Sequence, residues 1–225
     1  MGTVLGTTAT PTSRLGTRVV PTALAVALAG AAILAAAGLR PALVAVALVA
    51  AAGLAAWACR RPHPVAAVTA AVVVGLTALI TSDPIAVVAA VGLGAAAGVD
   101  VAERRIPTPI AYGTTILCGL AATTSPLPRG WASLTAPWLS TGVVVAAYAC
   151  LWLVGGVGFG DVRLAAATVS AAGTGLRYVA AMVTVPLLVL PVIAICWRLA
   201  GRRPPVPYAP ALVAGWLVAL SGLSS

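Results

Sequence analysis

Lysine is absent from this 225-residue chain, and only four residues are acidic: Asp83, Asp100, Glu103 and Asp161. Charged residues make up 8% of the sequence against 61% apolar ones, and the mean hydropathy is +1.10. So little polar surface excludes a soluble globular domain and leaves an all-α, polytopic membrane protein. There is a single histidine, His63, and the four cysteines (Cys59, Cys118, Cys150, Cys196) form no CxxC pair. A structural zinc site needs clustered ligands, so no metal is expected, and nothing implies a cofactor. The cysteines read as small buried hydrophobes.

Positive charge is what remains. Thirteen arginines give a net charge of +9. A nucleic-acid protein gathers such residues on one polar face with interleaved aromatics. Here they fall in short breaks between apolar runs, as in a protein that fixes its orientation in a lipid bilayer. No nucleic-acid partner is expected.

Taken in order, residues 1–18 are polar and Gly/Thr-rich and read as a disordered tail. Nine apolar runs follow. The first, Val19 to Leu39, is too long for a signal-peptide core and reads as a membrane helix. The second reaches Cys59 and the third spans Val65 to Thr81. Asp83 then stands where a helix cap belongs, with Pro84 at the first turn, and that local role accounts for it. The fourth run, Ile85 to Val99, is ~24 Å long at ~1.5 Å per residue, which puts Asp100 near the edge of a ~30 Å hydrocarbon core. Glu103, beside Arg104 and Arg105, reads as a solvated charge. Runs to Thr123, from Pro137 to Val154, from Asp161 to Leu176, from Tyr178 to Trp197 and from Tyr208 to Leu223 complete the chain. Trp131, in the loop from Thr124 to Ala136, suits a membrane interface.

With nine spans and a cytoplasmic N-terminus, ten arginines fall inside and three (Arg40, Arg129, Arg177) outside. That bias follows the positive-inside rule. Two spans separate Asp100 from Asp161, so both aspartates come to the cytoplasmic edge. Two neighbouring carboxylates there would hold one proton between them. One would act as general base on a water while the other, protonated, polarises a peptide carbonyl. Each aspartate also has a plainer reading: Asp161 as a helix cap after Gly158-Phe159-Gly160, and Asp100 as an interfacial charge paired with Arg104 or Arg105.

Asp100 followed six and seven residues later by Ile106-Pro107 resembles the first aspartate motif of the type IV prepilin leader peptidases. Gly158-Phe159-Gly160-Asp161-Val162-Arg163-Leu164 resembles their second, Gly-x-Gly-Asp-x-Lys-Leu, with Arg163 in place of lysine. Pro207-Tyr208-Ala209-Pro210 is similar to their Pro-Phe-x-Pro segment. The likeness covers about Pro84 to Leu223 and implies a membrane aspartic endopeptidase of the bacterial cytoplasmic membrane. Such an enzyme removes the basic leader of prepilin or pseudopilin-like proteins just after a glycine, at the cytoplasmic face. Asp100 and Asp161 carry over as the catalytic pair, with Ile106, Pro107, Gly158, Gly160, Arg163 and Pro210 as motif support. The implied organisation is a six-helix core over 84–225 and three additional helices over 19–83. Bifunctional members also methylate the new N-terminus and carry a cytoplasmic domain, often with paired CxxC motifs; its absence here makes methyl transfer doubtful.

Two other readings stay open. Presenilin-type intramembrane proteases also use Gly-x-Gly-Asp, and Pro210-Ala211-Leu212 matches their Pro-Ala-Leu, although Val99 stands where they have tyrosine. A transporter or channel moving protons or cations would also use membrane aspartates, ordinarily near the midplane.

Overall fold

Every apolar run that falls among the described residues becomes a helix, because Ala, Leu and Val in long stretches satisfy their backbone only within the helix once water is excluded. The computed structural model describes residues 40–60, 63–124, 131–155, 157–172, 176–201 and 206–221. The expected tail and first span, 1–39, lie outside them. The helices are α1 (Arg40–Ala58), α2 (Pro64–Ile80), α3 (Pro84–Glu103), α4 (Thr108–Thr124), α5 (Trp131–Leu153), α6 (Phe159–Ala172), α7 (Leu176–Leu199) and α8 (Ala209–Ser221). Three stretches, Pro41–Ala58, Pro84–Glu103 and Arg177–Leu199, are long and apolar enough to cross a membrane. Asp83 caps α3 as expected, its carboxylate accepting from the Ile85 N–H at 2.9 Å, with Pro84 in the first turn. The loop expected as far as Ala136 is shorter, since α5 already begins at Trp131.

Helix α3 is the axis of the bundle. It packs against α1, α2, α4, α6 and α8, and 78% of its apolar stretch is buried. Small residues make this possible, because without side chains the backbones come together closely. A Cβ on Gly94 would lie 2.8 Å from the Ala70 carbonyl oxygen, and one on Gly98 would strike the Ala66 carbonyl. Gly92 admits the Thr114 hydroxyl in the same way. By contrast, α7 is only 11% buried, and Leu188, Val192 and Ile195 point outward, as suits a lipid-facing helix. The cysteines divide: Cys59 and Cys118 are buried as expected, whereas Cys150 and Cys196 are exposed, and none of the four is in a disulfide.

Two prolines interrupt α7, Pro186 and Pro191. A proline has no N–H, so Pro186 leaves the Met182 carbonyl without its usual partner four residues on. The Tyr148 hydroxyl of α5 donates to that carbonyl at 3.0 Å. Gly215 of α8 lies against the Pro186 ring, its would-be Cβ 3.0 Å from the proline Cδ. The break in α7 is thus sealed from two sides.

One end of the bundle gathers the charge. The C-terminal ends of α1, α3 and α7 meet there with the N-terminal ends of α4, α6 and α8, as the contacts of Glu103, Arg104, Arg163 and Asp100 with those ends require. Arg60, Arg104, Arg105, Arg163 and Arg198 all belong to this end, while Arg40 and Arg177 begin helices at the other. Glu103 differs from the solvated charge that was expected. Its side chain is only 14% exposed and pairs with Arg105 Nε at 2.7 Å, and it also accepts from the Arg60 N–H. Arg105 reaches on to the Ala58 carbonyl. The last carbonyls of a helix lack intrahelical partners, so this Glu–Arg pair ties the end of α1 to the end of α3.

Candidate active site

Helix α3 does not stop at Asp100 but runs on to Glu103, closed by Arg104 in the left-handed conformation (φ 57°). The Arg104 N–H and guanidinium both donate to the Asp100 carbonyl, each at 2.9 Å. The guanidinium also stacks over Trp197 at 3.8 Å from the ring centroid. Such a conformation disfavours a residue with a side chain, so these contacts must hold it. The consequence is to fix Asp100 within the last turn, facing inward, at 6% exposure. Arg104, one of the two arginines considered from sequence, stays within electrostatic range of Asp100, while the carboxylate's hydrogen bonds come from elsewhere. The Ala209 N–H donates to Asp100 Oδ2 at 2.9 Å, with the Tyr208 N–H also facing the carboxylate. Ala209 opens α8, where the first N–H groups have no intrahelical acceptor. Pro210, next in line, sits in that first turn where it needs no N–H of its own. The Pro-Tyr-Ala-Pro segment therefore delivers a helix start to Asp100.

Asp161 is the third residue of α6 and 8% exposed. Its Oδ2 accepts from the Gly158 N–H at 2.9 Å, while its own N–H donates to the Gly158 carbonyl at 3.0 Å. The first of these is the side-chain half of a capping box; the second is an ordinary backbone bond of the first turn. The helix begins two residues before the expected start, so Asp161 is not its N-cap but bonds back to the residue that is, Gly158, and the same carboxylate faces a cavity. A carboxylate has about four acceptor positions, so one capping bond leaves capacity for more.

That cavity, of about 490 Å³, brings the two aspartates together. It is lined by Asp100, Arg104, Gly158, Asp161, Leu190 and Tyr208 among others. Asp161 lies within electrostatic range of Asp100. The cavity is open and mixed in polarity, with apolar walls from α7 and two carboxylates at its base. Such a cavity has room for water and exposes both carboxylates to it.

The remaining motif residues join the two aspartate segments. A Cβ on Gly160 would lie 3.2 Å from the Ile106 Cβ, so Gly160 packs against Ile106. Pro107 is buried, and its carbonyl accepts the Ile110 and Ala111 N–H groups that open α4. Arg163 donates to Thr108 Oγ1 at 2.9 Å and lies over the rings of Phe159 (4.4 Å) and Tyr112 (5.3 Å). Gly158 is exposed and lines the cavity; Gly160 is occupied within the fold. Pro210 is adjacent to the Ala209 N–H rather than in the cavity lining.

Tyr148 escapes sequence reasoning altogether, while Arg104 and Tyr208 are named there only as a charge partner and a motif position. Tyr148 had a signal in principle, since Pro186 frees a carbonyl that a tyrosine on a facing helix can take. No family model, curated protein or solved structure matches the chain.

Proposed function

We propose that this chain is a membrane-embedded aspartic endopeptidase of the prepilin leader peptidase kind. In this reading it crosses the bacterial cytoplasmic membrane nine times, with its N-terminus and active site facing the cytoplasm. The substrates are prepilin or pseudopilin-like proteins, cut between a basic leader and an apolar helix. The single observation that carries the reading is the meeting of Asp100 and Asp161 in one cavity at the arginine-rich end of the bundle. The positive-inside rule puts such an end in the cytoplasm, where a basic leader would lie.

Chemically, the pair holds one proton. The ionised carboxylate takes a proton from water as the water oxygen attacks the scissile carbonyl, and the protonated carboxyl donates to the carbonyl oxygen. Both groups are nearly buried yet open to the cavity, so water reaches them while competing solvent is limited. Backbone N–H groups from α8 and from the start of α6 fix each carboxylate in place. A site held so rigidly meets the geometric demand of general acid–base catalysis.

The test is leader cleavage of a co-expressed prepilin-like protein by the wild type, Asp100→Asn and Asp161→Asn. Both variants should insert normally and lose cleavage; normal processing by either one rules out an aspartic mechanism. A presenilin-like activity has one specific support, the proximity of Pro210-Ala211-Leu212 to Asp100 through Ala209. It would cut within the apolar helix of the substrate rather than before it, so mapping the new N-terminus distinguishes the two. Ion or solute flux through reconstituted vesicles, with no cleavage by the wild type, would favour a transporter.

A further inference from the structure

Tyr208 connects the two halves of the cavity. Its backbone lies beside Asp100, its ring lines the cavity, and its hydroxyl is within electrostatic range of Asp161. The residue is 8% exposed, and the buried hydroxyl has no hydrogen bond of ordinary geometry among the described residues. Leaving a buried donor unpaired destabilises a fold, so the position calls for an explanation. Other buried polar atoms share that condition, the Tyr178 hydroxyl, Trp216 Nε1 and Arg163 Nε, but none of those residues lines this cavity.

The neighbour that shapes Tyr208 is Tyr148. Their rings meet edge-on, with centroids 6.2 Å apart and planes at 81°. Tyr148 has already committed its proton to the Met182 carbonyl that Pro186 leaves open. It can therefore offer Tyr208 only an acceptor, and its ring fixes the tilt of the Tyr208 ring without consuming cavity space. Tyr208 is thus a phenol packed edge-on against Tyr148, near two carboxylates, its hydroxyl making no hydrogen bond of ordinary geometry.

We infer that Tyr208 is a third catalytic residue, donating its hydroxyl hydrogen bond to the oxygen of the scissile carbonyl as that carbon becomes tetrahedral. This rests on the aspartic endopeptidase reading above. In the step, the water oxygen bonds to the carbonyl carbon while one water proton passes to the ionised aspartate. The carbonyl π pair moves onto oxygen, which accepts from the protonated aspartate and from Tyr208. Collapse restores the carbonyl, breaks the C–N bond and sends a carboxyl proton to the departing nitrogen. Tyr208 gives up no proton, so nothing must be returned to it. A donor aimed at developing charge in a site of restricted solvent acts mainly in the transition state and so on kcat.

Tyr208→Phe is a mild variant, since phenylalanine is the residue of the resembling Pro-Phe-x-Pro segment and preserves the ring contact with Tyr148. With the purified full chain and a prepilin-like substrate bearing a basic leader, a glycine and an apolar helix, kcat should fall about tenfold to a hundredfold. KM and the thermal midpoint in detergent should stay near wild type. Fluorotyrosine at position 208 keeps the hydroxyl and strengthens it as a donor, so cleavage should hold at or above the wild-type rate. An unchanged kcat in Tyr208→Phe, or a fall with fluorotyrosine as large as with phenylalanine, overturns the inference while leaving the aspartate pair intact. Absence of cleavage by the wild type overturns both.

Discussion

Asp100 accepts a hydrogen bond from the backbone N–H of Ala209, 109 positions further along the chain, at 2.9 Å. A side chain at the end of α3 thus satisfies the start of α8, and one bond serves both the fold and the site. The two roles can be separated by the choice of substitution. Asn at position 100 retains a carbonyl oxygen for the Ala209 N–H but cannot act as an acid or base. Asp100→Asn should therefore stay within about 1 kcal/mol of wild-type stability while losing cleavage. Asp100→Ala strands a buried N–H and should lose about 1–3 kcal/mol as well. Thermal unfolding in detergent beside a cleavage assay checks both. Equal stability of the two variants would show that the Ala209 bond contributes nothing.

A pair that works with one shared proton loses activity when it gains a second and when it loses the first. The rate of leader cleavage should rise and then fall with pH, with the two limbs belonging to the pair rather than to either aspartate. Steady-state cleavage across the pH range in which the fold is intact measures this. A rate that climbs to a plateau with no descending limb contradicts the one-proton mechanism.

Gly160, expected as motif support, has Ile106 seated against it. At 3.2 Å a new Cβ already crowds the Ile106 Cβ, and the branches of valine add to it. Gly160→Ala should shift α6 by a few tenths of an ångström, and Gly160→Val further. Since Asp161 follows directly, cleavage should fall in the order wild type, Gly160→Ala, Gly160→Val, with a stability loss of about 1–3 kcal/mol for valine. Equal activity in all three would mean that the contact does not position Asp161.

Much of this was legible in the sequence. The helices follow from apolar runs bounded by Pro, Gly and Arg, and the cap at Asp83 from its place before Pro84. The convergence of Asp100 and Asp161 at one end of the bundle follows from the two helices, α4 and α5, that separate them along the chain. What was not legible depends on contacts between distant segments. Glu103 looked solvated because the carbonyl of Ala58 and the N–H of Arg60 lie some 40 positions away in sequence. Asp161 was placed at the very start of its helix because the apolar run begins after it, and the pattern does not reveal that the helix already starts at Phe159. Tyr208 was visible only as a variation on a motif, since its meaning comes from Tyr148 and the broken turn of α7.

Arg163 replaces the lysine of the resembling motif, and its surroundings explain what the guanidinium adds. It bonds to Thr108 on α4 and lies over Phe159 and Tyr112. A planar cation can stack on a ring and donate sideways at the same time; an ammonium cannot do so with the same geometry. Arg163→Lys should retain the charge but weaken the α4–α6 connection, with a loss of about 0.5–1 kcal/mol. Arg163→Leu should lose more, together with part of the cleavage rate. If lysine matches wild type in both stability and rate, the stacking is incidental and only the charge matters.

Close backbone packing joins α3 to α2, where Gly94 and Gly98 on α3 meet Ala70 and Ala66 on α2. In a bilayer there is little hydrophobic drive to bring two apolar helices together, so close backbone approach must supply it. Gly98 is the tighter of the two, with backbone rather than a movable side chain in the way. Gly98→Val should therefore separate α2 from α3 and destabilise the protein by more than about 2 kcal/mol. Gly53→Val, on the neighbouring α1 with open space around its Cβ position, should have little effect. Because Asp100 is only two residues beyond Gly98, the Gly98 variant should also lose cleavage even though every motif residue is intact. The measurement is thermal unfolding in detergent together with leader cleavage for each variant. A stable and active Gly98→Val would show that α2 is dispensable for holding α3 and the aspartate it carries.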